Sequence, residues 1–216
     1  SFTFSFVWRW KSGKNGWVIE EIFRKYLEIK SIHDLNEVEK PSHSYSLNLI
    51  EPKDFQLNKF LYKQIGKKYH WIDRLAWTDK NWIAYVSNKN LITYLLKNND
   101  DLVGYYELIF NEEKQEIEIA YFGILEEYFG KKLGGFLLTE AIKKSFSLNA
   151  KRVWVHTCSL DHKNALKNYL SRGMTVFKSE ILKKEIAQFI WGSLKTFLSI
   201  FWFTLILEIK VITKFW

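Results

Sequence analysis

In 216 residues the chain holds one cysteine, Cys158, one methionine, Met174, and two prolines. A single sulfur builds no disulfide framework, no thiolate metal cluster and no CxxC redox pair, and it fits a reducing, cytoplasmic setting. Neither the Gly-Lys-Ser/Thr of a nucleotide P-loop nor a spaced GxGxxG occurs. There is no internal repeat and no low-complexity linker. Charge is not concentrated either: 32 Lys+Arg against 24 Asp+Glu give a net +8, but the lysines are scattered rather than gathered in a stripe, so no nucleic-acid partner is expected. Residues 1–10 are no signal peptide, because Arg9 follows the apolar stretch and no small-residue cleavage site comes after it.

What is present is apolar and aromatic mass. At 47% hydrophobic and 18% aromatic residues the chain can bury enough surface to offset the entropy of ordering, which excludes disorder. Alternation over residues 45–51, closed by Pro52, predicts a first strand. Asp54 caps a helix that ends at Gly66, and Thr78 caps a second helix running to Val86. Three strand-like runs follow, 91–96, 102–110 and 116–124. Their separators, Asn98-Asn99-Asp100-Asp101 and Asn111-Glu112-Glu113-Lys114, are polar turn chemistry, so an antiparallel meander is expected. Residues 132–146 form an amphipathic helix, 152–158 a strand, 161–172 a helix and 174–177 a last strand. We divide the chain into an N-terminal extension (1–26), one α/β domain (27–180) and a hydrophobic C-terminal extension (181–216).

The informative stretch is residues 124–138, where a strand ends, a loop carries Gly130, Gly134 and Gly135, and a helix begins. Backbone N–H groups at such a helix start bind anions, and small residues let a phosphate approach. Here the sequence resembles the GNAT family of acetyl-CoA-dependent N-acetyltransferases, whose first signature is Gln/Arg-x-x-Gly-x-Gly/Ala at the head of the central helix. Phe129, Lys132 and Gly134 fall on its three positions and only Gly134 matches, with Lys131 and Lys132 able to supply positive charge instead. The second signature, Asn-x-x-Ala-x-x-x-Tyr-x-x-x-Gly-Phe, is met by Ala165, Tyr169, Gly173 and Met174, with His162 in place of the asparagine.

The resemblance implies a mixed, mostly antiparallel sheet splayed between two parallel strands, with helices on both faces. It also implies transfer of an acetyl group from acetyl-CoA to a primary amine of a small molecule or protein, with no metal. It assigns the cofactor to Phe122, Gly123, Ile124, Phe129, Gly130, Lys131, Lys132, Leu133, Gly134, Gly135, His162 and Ala165. Backbone N–H groups around residues 122–124 would polarise the thioester carbonyl, and Tyr169 would protonate the departing thiolate.

For the base, Glu118 stands six residues before Ile124, the spacing at which the resemblance places a strand-four glutamate in some family members, and between Ile117 and Ile119, where desolvation raises a carboxylate pKa toward a useful value; the plain alternative is an outward charge. His156 shares a strand face with Cys158 and is either a proton relay or a core histidine. Cys158 reads as a small hydrophobe rather than a nucleophile. Asp161 and His162 are neighbours that do not face one another in a helix, which argues against a metal pair. Acidic turns at Asp100-Asp101 and Glu112-Glu113 would favour a cationic amine if both bordered the cleft. Residues 186–207 carry one charge, Lys195, and read as a core element or an artefactual extension, the functional alternatives being a peripheral membrane segment and a dimer-forming helix. Rival readings are an acyl-CoA-binding module without turnover and a membrane-associated interaction protein. Oligomeric state is left open.

Overall fold

The computed structural model describes residues 17–187 apart from Lys68 and His70, so residues 1–16 and most of the expected hydrophobic extension lie outside the described residues. Seven strands, β1 (Trp17–Ile29), β2 (Tyr45–Leu49), β3 (Leu91–Asn98), β4 (Asp101–Asn111), β5 (Glu116–Ile124), β6 (Arg152–Cys158) and β7 (Thr175–Ala187), form one sheet in the order β2-β3-β4-β5-β6-β1-β7. Four helices complete it: α1 (Phe55–Gly66), α2 (Asp79–Val86), α3 (Leu133–Ser147) and α4 (Ala165–Ser171). Residues Ile19–Lys184 make one compact unit.

The local chemistry explains most boundaries. The Asp54 carboxylate accepts the N–H groups of Gln56 (2.9 Å) and Leu57 (3.1 Å) at the head of α1. Thr78 and Asn81 cap α2 reciprocally, a capping box that satisfies two of the otherwise orphaned first-turn donors. The meander β2 to β5 is antiparallel throughout, turning through Asn99 and Gln115 at positive φ. On one sheet face α3 and α4 bury Leu133, Leu137, Ala141, Ile142 and Tyr169 against Ile117, Ile119, Val153 and Val155. On the other, Leu61 and Ile65 of α1 pack on Leu95 and Tyr105. Each fully buried Leu or Ile contributes roughly 1.5–3 kcal/mol.

Three features differ from the sequence reading. A strand, β1, stands where none is expected: Ile19, Ile22, Phe23 and Tyr26 are spaced as on a helix, yet the segment pairs antiparallel with β6 from Arg24↔Cys158 to Ile29↔Val153. It runs through the expected boundary at residue 26. Helix α4 starts at Ala165 rather than residue 161. The Asp161 carboxylate accepts from Thr157 Oγ1 (2.7 Å) and the Cys158 N–H (2.9 Å), and His162 Nδ1 accepts from the Asn164 N–H (3.1 Å), bonds that compete with the helical ladder. The last strand is longer than four residues and reaches Ala187.

Candidate active site

Strands β5 and β6 are the parallel pair, and they pair only from Glu116↔Arg152 to Glu118↔Trp154. Beyond that point β5 continues along β4 to Gly104↔Ile124 and β6 continues along β1 to Arg24↔Cys158. The facing edges of residues 119–124 and 155–158 therefore diverge, leaving backbone donors and acceptors that require partners. A bulge in β5 between Ile119 and Tyr121 shifts the alternation, so Ile117, Ile119 and Ile124 all join the α3-side core while Glu118 and Tyr121 share the α1 side.

Past Ile124 the chain makes a 3-10 turn, Glu126–Tyr128, then Gly130 at φ 80 and Lys132 at φ 57, and enters α3. No side chain caps this helix. Gly135 N–H bonds back to the Lys132 carbonyl, which leaves the N–H groups of Leu133 and Gly134 as the free first-turn donors. A Cβ at Gly130 would meet nothing within 4 Å, whereas one at Gly135 would stand 2.6 Å from the Arg172 guanidinium. Gly130 thus serves its backbone conformation and Gly135 the packing of α4, whose Asn168 donates from Nδ2 to the Gly134 carbonyl (3.1 Å). Lys131 lies over the Tyr128 ring at 4.6 Å, and both Lys131 and Lys132 are exposed. The two residues that depart from the signatures meet each other: Phe129 packs edge-on against His162 at 5.4 Å, and His162 against Tyr69 at 5.7 Å.

The other candidates border the same parting of strands. Tyr169 is buried on α4 with its ring 6.2 Å from Phe122; burial, with Asp161 nearby, pushes its phenol up, so it stays protonated. Ala165 opens the same helix. On the opposite sheet face Glu118 makes no hydrogen bond among the described residues, and desolvation, opposed by Arg74 and aided by Glu116, pushes its carboxyl up to about 7. Glu116 differs, since it pairs with Arg152 at 2.7 Å. His156 projects on the Glu118 side, its ring 5.8 Å from Tyr26, and the protein mass around it and the Arg24 charge hold its imidazole below the ordinary value. Burial pushes the Cys158 thiol up, away from the thiolate a nucleophile needs. The acidic turns lie at opposite ends of β4: Asp101 acts on Tyr128, while Glu112 pairs with Lys89 at 2.9 Å.

A set of residues beside Glu118 went unforeseen. Glu107 of β4 is fully buried and accepts from Asn58 Nδ2 (2.7 Å) and the Tyr85 hydroxyl (2.5 Å). Arg74 Nη1 stands 3.5 Å from its Oε2, an ion pair without hydrogen-bond geometry. The Arg74 guanidinium lies over the rings of Tyr85 (3.8 Å), Tyr121 (4.2 Å) and Trp77 (4.7 Å). Next to it Asp73 accepts from the hydroxyls of Tyr62 (2.8 Å) and Tyr121 (2.6 Å). The only sequence signal was the density of aromatic residues between positions 69 and 85. Among the described residues no three His, Cys, Asp or Glu are grouped to hold a metal ion, and no helix is long and apolar enough to cross a membrane.

Residues 54–174 match the family described as Acetyltransferase (GNAT) family. Solved structures share the fold at low identity. A GCN5-related N-acetyltransferase from Sphaerobacter thermophilus is 15% identical with a TM-score of 0.61, the match covering 76% of this chain and 51% of that one. One from Kribbella flavida is 14% identical, with a TM-score of 0.54 and coverage of 77% and 58%. An aminoglycoside acetyltransferase from an uncultured soil metagenomic sample, in complex with trehalose, is 12% identical, with a TM-score of 0.51 and coverage of 62% and 90%. The chain thus spans about half of the first of these and under three fifths of the second. No curated protein sequence matches the chain significantly.

Proposed function

Because the chain belongs to the GNAT acetyltransferase family, we propose that it is an N-acetyltransferase that moves an acetyl group from acetyl-CoA directly to a primary amine. The observation that carries this reading is the parting of β5 and β6 after Glu118↔Trp154, beside the uncapped start of α3.

The residues fit the cofactor. Unpaired strand edges suit an extended ligand rich in amides, and the free N–H groups of Leu133 and Gly134, with Lys131 and Lys132 alongside, suit a pyrophosphate. Gly130 adds open backbone, Ala165 and His162 the facing start of α4, and residues 122–124 the edge that would polarise a carbonyl. Acetyl-CoA would supply the acetyl group on a thioester, whose C–S bond breaks as the amine's C–N bond forms.

The chain's own groups handle the protons. Glu118, with a carboxyl near 7, is roughly half ionised at neutral pH and is the base that takes the amine's proton. His156 on the neighbouring strand is its rival for that proton. Tyr169, on the other sheet face, gives its hydroxyl proton to the leaving sulfur, and its burial keeps that proton in place until needed. The half-buried free thiol of Cys158 is in keeping with a cytoplasmic setting.

A second reading, an acyl-CoA-binding module without turnover, is favoured by one feature: the Phe129–His162 ring pair at two signature positions. One experiment separates the two. Acetyl-CoA is expected to raise Tm, about 2.7 kcal/mol of stabilisation at 100 Kd, and to release thiol when an amine library is added. A Tm shift with no thiol release favours the binding module, and no Tm shift overturns both.

A further inference from the structure

Asp73 is held in place and yet open to solvent. Both carboxylate oxygens are fixed by buried or half-buried phenols, Tyr62 on α1 and Tyr121 on β5, yet the Asp73 side chain is 63% exposed while that of Arg74 beside it is 9% exposed. An ionised carboxylate offers about four acceptor sites, and two are used among the described residues. Arg74 Nε is 3.8 Å away, but that guanidinium is turned into its aromatic cage and faces the buried Glu107. Of Asp73, Arg74 and Glu107, the only exposed member is Asp73.

The position is set by Tyr121, which shares the α1 side of β5 with Glu118 at the parting of the strands. Trp71 packs edge-on against Tyr121 at 4.9 Å and tilted against Tyr62 at 5.7 Å, so aromatic walls flank the carboxylate. Across the parting, Tyr26, Trp154 and His156 form a second aromatic wall. Its cation Arg24 lies 3.8 Å from Glu180, which also pairs with Lys178 at 2.9 Å. A rigid, exposed carboxylate between aromatic walls is the chemistry that selects an ammonium group.

We propose that Asp73 is a specificity determinant for the acceptor, and that the acceptor is a dication: one amine at Glu118 for acetylation and a second ammonium group bound by Asp73. This rests on the acetyl-transfer reading and adds the substrate class to it. Acetylation removes one positive charge, so the product has lost the pair of charges that bound it.

The test compares α,ω-diaminoalkanes of three to eight carbons with n-alkylamines of equal length. Wild type is expected to show a length optimum in kcat/KM for diamines and a preference over the matched monoamine of about twofold to fivefold, the size of an exposed carboxylate–ammonium pair. Asp73→Asn should erase that preference through KM, leaving monoamine kcat and acetyl-CoA affinity unchanged. Asp73→Glu, which keeps the charge and moves it by one methylene, should shift the length optimum by one carbon, an effect no merely structural role produces. Equal use of diamines and monoamines by wild type, or an unmoved optimum in Asp73→Glu, overturns the proposal while acetyl transfer stands. If no amine releases thiol, the transfer reading falls instead. Calorimetric binding of 1,6-diaminohexane to the CoA-bound protein, present in wild type and lost in Asp73→Asn, would then still support Asp73 recognition, and binding unchanged by the substitution would overturn it.

Discussion

Glu107 and Glu118 stand on neighbouring strands, on the same face of one sheet, and both carboxyls are pushed up by burial. Their surroundings differ. Glu107 lies under α1 and α2, with Asn58, Tyr85 and Arg74 around it. Glu118 lies where β5 leaves β6, with no hydrogen-bond partner among the described residues. A buried carboxylate with three partners is a fixed charge that holds elements together; one without partners is free to exchange a proton. The same residue type on the same face thus serves packing in one half of the sheet and, in the function proposed above, chemistry in the other.

The largest effect expected from breaking this contrast is on Glu107. Arg74→Met leaves its charge without a cation and should cost about 3–5 kcal/mol by urea denaturation. The loss should shrink at low pH: the folded protein then prefers Glu107 protonated, so stability falls as pH rises above the unfolded carboxylate value. Next comes activity. Glu118→Gln should lower kcat/KM at neutral pH by roughly 100-fold, with recovery as pH rises toward the amine's own pKa; a profile parallel to wild type would return Glu118 to the surface charges. Tyr169→Phe should reduce kcat roughly 10-fold or more with acetyl-CoA affinity unchanged. The same Glu118→Gln protein should be more stable than wild type at pH 8, on the order of 2 kcal/mol. The sign follows from a folded pKa of about 7 above the ordinary 4.5: wild type loses stability as pH rises between them, so the two melting curves should converge as pH falls below 4.5. The smallest effect is Tyr85→Phe, which removes one donor to Glu107 and should cost about 1–2 kcal/mol by the same denaturation.

Much of the frame was legible before any coordinates. The meander from Leu91 to Ile124, the caps at Asp54 and Thr78, and the strand Arg152–Cys158 all follow from period and turn chemistry, which act over a few residues. Strand β1 was not, because its apolar spacing suits a helix and only pairing with β6 decides the matter. Of the proposed site, Tyr169 could be named through the resemblance to the family's second signature, Glu118 through its apolar flanks and a spacing some family members share, and the Gly130–Gly135 loop from local pattern. Asp73, Arg74 and Glu107 could not, since Asn58, Tyr85 and Tyr121 meet them only after α1 and α2 fold over the sheet. The Ile119/Tyr121 bulge has the same lesson: strict alternation puts Tyr121 opposite Glu118, and one extra residue puts the two side by side.

The place of β1 in the sheet, between β6 and β7, has a consequence for how the protein is made. As the chain leaves the ribosome, β2 to β5 can zip up in order, each strand meeting its neighbour soon after synthesis. The first strand has no such partner. Phe23 donates to Ser159, 136 residues further on, so the segment waits as an unsatisfied edge until Arg152–Cys158 has emerged. The wall of the cleft that carries His156 therefore assembles only after β6 has emerged to pair with β1.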